Sequence, residues 1–179
     1  GGQDLESTGL GALLYGQIVE TVVPVSGIQV AEMTKIVENA FRNVNIAFVN
    51  ELAKVCKKLS VDVWEVLGAA ATKPFGYMPF RPGPGIGGHC IPIDPVYLTW
   101  KLKKQNISFR MIEEADAINT GMPDFVVEII GKEMNRRGKS LEGSNLLVLG
   151  TAFKKDINDC RESPSLILME KLLEMGANV

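Results

Sequence analysis

Histidine occurs once in these 179 residues and cysteine three times. Cys56, Cys90 and Cys160 have no CxxC spacing and, with His89, make a poor ligand set for zinc; an odd number of separated thiols points to reduced cysteines. Net charge is nearly absent: 19 basic against 21 acidic residues leave −2. That provides no electrostatic footprint for wrapping nucleic acid or an anionic membrane surface. No apolar run approaches the roughly 20 residues of a membrane span, and no basic, apolar, small-residue leader opens the chain. The expectation is a cytoplasmic protein with no nucleic-acid partner and no membrane partner. Also missing are the GK[ST] of a Walker loop, a GxGxxG leading into a helix, an internal repeat and a low-complexity tail.

What is present is 46% hydrophobic sequence, enough for a core in one domain or parts of two. Residues 10–21 have helical spacing, and "VVPVS" after them reads as a short extended piece ending at Gly27. Residues 30–59 form the longest periodic segment, free of glycine and proline, and predict a helix of roughly seven or eight turns. Its apolar positions, among them Val37, Phe41, Val44, Phe48 and Val55, spread beyond one stripe, which implies contacts on two sides and a subunit interface. Further helices are expected over 62–71, from Asp94 as N-cap with Pro95 in the first turn, through "FRMIEEADAINTG", and from Pro123 to Arg137. "NLLVLG" (145–150) reads as a strand buried on both faces of a parallel sheet. Ser163, Pro164 and Gly176 read as cap, first position and stop of a last helix. A lone parallel strand has no ladder partners, so a piece of a longer protein is expected, helical in the middle and α/β at its end.

Residues 82–92, "PGPGIGGHCIP", place the only histidine and a thiol in a run of glycine and proline. Glycines there permit positive φ and a close approach of backbone N–H groups to a ligand; the plainer reading is a turn-rich connector. Cys90 lies four residues before Asp94, where the positive end of the following helix favours thiolate. A buried, inert cysteine is the plainer alternative, accepted for Cys56, and Cys160 is incidental. A His89–Cys90 hydrolase dyad is disfavoured because adjacent side chains diverge and no third member is available. Asp94 is either a helix cap or a carboxylate able to hold water. Lys35 and Asn39, four apart on one helix face, are either a solvated lysine pairing with Glu32 or Glu38 beside a structural amide, or a site pair. Asparagine recurring at 39, 43 and 50 demands partners, since buried amides need them.

Taken together, "AEMTKIVENAFRNVNIAFVNEL", "FRPGPGIGGHCIPIDP" and "LGTAFKKDINDCRESPS" resemble the nucleotide-sugar 6-dehydrogenases, the family of UDP-glucose and GDP-mannose dehydrogenases, in family order and over essentially the whole chain. "GGHCIPIDP" looks most like the branch acting on UDP-N-acetylhexosamines; Ile93 stands where UDP-glucose members generally carry lysine. The resemblance implies a fragment of a three-domain enzyme. Residues 1–27 would be the end of an N-terminal NAD-binding Rossmann-like domain. Residues 28–143 would form a mainly α central dimerisation and catalytic domain, and 144–179 the beginning of a C-terminal α/β Rossmann-like UDP-binding domain. It implies NAD as cofactor, a UDP-sugar substrate and a homodimer through the long helix. The substrate would be UDP-N-acetylglucosamine first and UDP-N-acetylmannosamine second, oxidised twice at C6 to the uronate.

In that family Cys90 matches the cysteine that carries a thiohemiacetal and then a thioester. Lys35 and Asn39 match the pair that stabilises the oxyanion, and Asp94 matches the carboxylate that positions water. Arg81 and Lys154 match groups that bind the nucleotide sugar, Gly87 the backbone approaching the hexose, and Arg161 an arginine reaching the cofactor. The family's glutamate and threonine from the N-terminal domain have no counterpart here. A non-catalytic dimerising or nucleotide-sugar-binding module is the alternative for this length of chain.

Overall fold

The computed structural model describes residues 1–179. Helix α1 (Leu5–Tyr15) precedes the 32-residue α2 (Ile28–Leu59), against which the middle of the chain is assembled. The first helix lies earlier than the spacing over 10–21 suggested. Asp4 starts it, its carboxylate accepting the Ser7 N–H at 2.7 Å, and a cap that satisfies an orphan donor outweighs weak apolar periodicity. The following "VVPVS" pairs with no strand.

Helix α2 begins after an extended Gly27 and stops at Ser60, which turns left-handed at φ 57°. Lys57 and Lys58 in its last turn complement the helix dipole. Helix α3 (Val63–Ala70) follows, with Asp62 accepting the Trp64 N–H at 2.8 Å. The Gly/Pro-rich stretch then runs as irregular backbone to α4 (Asp94–Lys103). Helix α5 (Arg110–Thr120) lies along α2, and α4 packs against both.

Helix α6 (Met122–Arg136) faces α7 (Pro164–Glu174), which Ser163 caps by accepting the Ser165 N–H at 3.3 Å. Their shared core is Val127, Leu141, Leu168, Leu172 and Ala177, and it straddles residue 144, where the sequence places a boundary. Leu172 is completely buried, so Leu172→Ala removes about 2–5 kcal/mol.

The expected strand at 145–150 is not a strand. Only Asn145 bridges, in parallel, to Asn178, with the Leu146 N–H donating to the Asn178 carbonyl at 2.7 Å. Leu147 and Leu149 stand 84% and 87% exposed. A parallel strand needs neighbours on both edges and helices on both faces, and residues 1–179 supply one bridging residue. No helix is long and apolar enough to cross a membrane.

Candidate active site

The spacing of Asn39, Asn43 and Asn50 along α2 puts them on one helical face. All three are buried, and each reaches a different point of the segment that carries Cys90. The Gly83 N–H donates to Asn50 Oδ1 at 2.9 Å. Asn43 Nδ2 donates to the Ile91 carbonyl at 3.1 Å. Asn39 Nδ2 donates to Asp94 Oδ2 at 2.6 Å.

Asn119, at the end of α5, closes the network. Its Nδ2 donates to Asn43 Oδ1 at 3.0 Å and to the Asn43 carbonyl at 3.2 Å, while its Oδ1 accepts from Asn50 Nδ2 at 2.9 Å. A loop without regular hydrogen bonding is thereby fastened on both sides of the thiol by amides that water does not reach. Such satisfied networks hold one arrangement rather than several.

Asp94 does not cap α4. Ile93 occupies that position with helical backbone, Asp94 is the first helical residue, and no side chain caps the end. A tertiary donor, the Asn39 amide, has taken the carboxylate that local sequence assigned to the helix. The Asp94 N–H instead donates to the Cys90 carbonyl at 3.0 Å, which draws the thiol-bearing residue against the start of α4. Cys90 is exposed, Cys56 buried and Cys160 half-buried.

The glycines of the loop meet protein. A Cβ on Gly87 would lie 2.6 Å from the Glu162 carbonyl oxygen and 2.6 Å from Phe153 Cβ; one on Gly88, at φ 82°, would lie 2.8 Å from the Phe153 ring. Side chains at these two positions would collide with backbone or a packed ring. The bareness expected to make room for a ligand also makes room for Phe153 and Glu162, so the thiol loop is seated on residues 153–164.

The remaining candidates divide. Lys35 Nζ lies 3.3 Å from Glu38 Oε2 with its side chain 56% exposed, a surface pair worth under about 1 kcal/mol. Arg81 is exposed at the mouth of the loop. Lys154 is exposed, its ammonium 5.7 Å from the Phe153 ring centroid. Arg161 Nε and Nη2 donate to Asp159 carboxylate oxygens at 3.0 and 2.7 Å. Hydrogen bonds from the Arg161 side chain, then its backbone N–H, hold the Asp159 carboxyl far below the usual carboxylate range, with a smaller contribution from His89.

Two contributors, Asn119 and Phe153, carry no local mark of their role; a third is Arg42, which donates to Asn39 Oδ1 at 2.6 Å. Arg42 sits one turn after Asn39, a spacing the sequence does show.

Residues 29–121 match the central domain of the UDP-glucose/GDP-mannose dehydrogenase family, and residues 147–179 match that family's UDP-binding domain. The chain is 35% identical, over all its 179 residues, to a UDP-N-acetyl-D-mannosamine dehydrogenase of Methanococcus maripaludis, of which it covers 40%. It is 37% identical over 167 residues to a UDP-N-acetyl-D-glucosamine 6-dehydrogenase of Pseudomonas aeruginosa, covering 93% of this chain and 39% of that protein. The solved UDP-D-ManNAc dehydrogenase of Pyrococcus horikoshii superposes with a TM-score of 0.90 at 32% identity, over 98% of this chain and 41% of that one. The chain thus spans about 40% of the length of the relatives it matches. A long helix bearing the asparagine row, a clamped Gly/Pro loop ahead of Asp94 and a seat on residues 153–164 occur here within the bounds of those two matched regions. The chain belongs to the UDP-glucose/GDP-mannose dehydrogenase family.

Proposed function

We propose that these residues are the catalytic and part of the substrate-binding machinery of an NAD-dependent UDP-N-acetylhexosamine 6-dehydrogenase with Cys90 as its nucleophile. What supports this reading is the exposed Cys90 on a loop fastened at Gly83 and Ile91, with the paired Asn39 and Asp94 close behind it. The relatives named above carry both the mannosamine and the glucosamine epimer, and both are candidate substrates. The sequence expectation ranks glucosamine first.

The chemistry runs on the sulfur. The C6 alcohol loses a hydride and a proton to give an aldehyde; the Cys90 sulfur adds to that carbon and the oxygen takes a proton. Loss of a second hydride and the hydroxyl proton leaves a thioester. Water attacks, the C–S bond breaks, the thiol is restored and the uronate leaves. Asp94 takes the proton of the attacking water. Asn39 and Lys35 are the donors assigned to the oxyanion. Asn39 keeps one Nδ2 hydrogen beyond its bond to Asp94 and, being buried, meets the oxygen only once substrate displaces its present cover. Lys35 is free to swing to the oxyanion because a surface pair with Glu38 holds it only weakly. Arg81 and Lys154 meet the nucleotide sugar, and Gly87 lies beside the hexose.

When bound, NAD accepts the hydride in each oxidation. Among the present residues Arg161 would reach it, and its donor set fits: Asp159 engages Nε and Nη2, which leaves Nη1 for a phosphate oxygen. The glycine loop that cradles dinucleotide phosphates is not in this sequence.

The proposed partner is a second copy. Met33, Val37, Phe41, Leu98, Phe109 and Met111 line an apolar groove of about 430 Å³ on α2 and its neighbours. Exposed apolar area of that kind marks an interface.

The test uses the full-length enzyme. Two NADH per UDP-sugar are expected, and Cys90→Ser lowers uronate formation by on the order of 10³-fold or more. Undiminished uronate from that variant removes the covalent mechanism. Iodoacetamide labelling that falls equally and slowly on Cys56, Cys90 and Cys160, with no slowing by UDP-sugar, favours the non-catalytic module.

A further inference from the structure

We infer that Arg42 is a positioning residue, whose guanidinium anchors the Asn39 amide at Oδ1 and so locks the orientation in which Nδ2 faces Asp94. Arg42 Nη2 donates to Asn39 Oδ1 at 2.6 Å, and on the other side of the same amide Nδ2 donates to Asp94 Oδ2 at 2.6 Å. A guanidinium has donors only, and an ionised carboxylate has acceptors only. An amide wedged between them satisfies both in one orientation. Turned over, it sets oxygen against carboxylate and NH₂ against guanidinium. Asn39 has no exposure to solvent, so water cannot repair the wrong orientation.

Arg42 is itself held in place. Nη2 donates also to Glu38 Oε1 at 2.8 Å, and Nε to the Glu38 carbonyl at 3.4 Å. Glu38 Oε2 holds Lys35 at 3.3 Å. Lys35, Glu38 and Arg42 run along one side of α2 with alternating charge, and the neutral Asn39 amide continues the chain to the Asp94 carboxylate of α4. Arg42 and Asp94 share no hydrogen bond; they are coupled through a buried amide. With Arg42 gone, Asp94 still selects the NH₂ end, but Asn39 Oδ1 is left without its donor and the amide is held at one end only, so it moves more freely. The kinetic consequence rests on the function proposed above, whereas the orientation of the amide does not.

Exchange of the Asn39 side-chain NH₂, followed by NMR in the ¹⁵N-asparagine-labelled chain, tests the lock directly. Arg42→Met is expected to speed exchange at least about tenfold. Arg42→Lys and Arg42→Gln, which each keep a donor, stay within about threefold of the parent chain. Unchanged exchange in Arg42→Met overturns the proposal. So does loss of protection in Arg42→Gln equal to that in Arg42→Met, because charge rather than donor direction would then be at work.

In the full-length enzyme Arg42→Met lowers kcat about tenfold with KM for the UDP-sugar within about twofold, and Arg42→Lys recovers most of kcat. A normal kcat in Arg42→Met beside an inactive Cys90→Ser rejects the positioning role alone. Full turnover by Cys90→Ser defeats the functional reading and leaves the exchange result standing.

Discussion

Along α2, Asn39, Asn43 and Asn50 stand 0%, 1% and 0% exposed, whereas Val37, Phe41 and Phe48 on the other side stand 58%, 48% and 58% exposed. A hydropathy scale would order the two faces the other way. An amide is buried where named partners meet both its ends, and each such bond then adds about 1 kcal/mol net; left unmet, the group costs about 1–3 kcal/mol. An apolar side chain needs only a surface, so where none is offered it stays in solvent. The polar face of α2 is finished within one chain, and its apolar face is finished, on the proposal above, by a second copy. Burial on this helix reports who the partner is more than how greasy the residue is.

The strongest way to break that comparison is at Asn50. Asn50→Ala removes the acceptor of the Gly83 N–H and the donor to Asn119 Oδ1. One buried and one partly buried group lose their partners, so the expected loss in unfolding free energy by urea titration is about 2–4 kcal/mol. A loss below about 0.5 kcal/mol, the size of an ordinary surface substitution, would mean that the asparagines are buried passengers.

The open face sharpens the contrast from the other side. Phe48→Ala is expected to change unfolding of the separated chain by less than about 1 kcal/mol, yet to shift sedimentation at micromolar concentration from dimer to monomer. A parent chain that sediments as a monomer, or a Phe48→Ala variant that remains a dimer while unfolding far more easily, would assign Phe48 to an intrachain core.

These two faces also show what the sequence could reveal. The long helix was legible almost to its ends, 30–59 against Ile28–Leu59, because 32 residues without glycine or proline leave little alternative. The asparagine repeat announced a need for partners. It could not name Asn119, which lies 69 positions beyond Asn50, because such pairing is decided by packing. Asp94 followed by Pro95 has the local form of a cap, and a tertiary donor overrode it. The loop glycines looked like space for a ligand; that Phe153 and Glu162 fill part of the space depends on residues more than 60 positions away. The apolar run at 145–150 was read from the sheet its composition suits, and within this chain it has one bridging residue. Arg42 looked like any helix-surface arginine, and only Asn39 beside it makes it otherwise.

Asp116 carries the smallest expected effect and tests the same rule on a carboxyl. It lies half-buried on α5, the helix that packs along α2, and burial alone pushes its carboxyl above the ordinary range. Unlike Asp94, it gains no donor in return. With the folded pKa raised, the native state holds its proton more tightly than the unfolded chain does. Stability therefore falls as pH rises from the unfolded value through the folded one, and the penalty is complete above that window. Asp116→Asn removes it. The variant should be more stable at pH 7 by less than about 1 kcal/mol, because the group is partly solvated and screened, and the difference should vanish below about pH 3.5, where both states hold the proton. Urea titrations at the two pH values decide the matter. A variant less stable at pH 7 would show that Asp116 has a partner its surroundings do not reveal, and the rule that unpartnered polar groups are penalised in proportion to burial would fail on the helix next to α2.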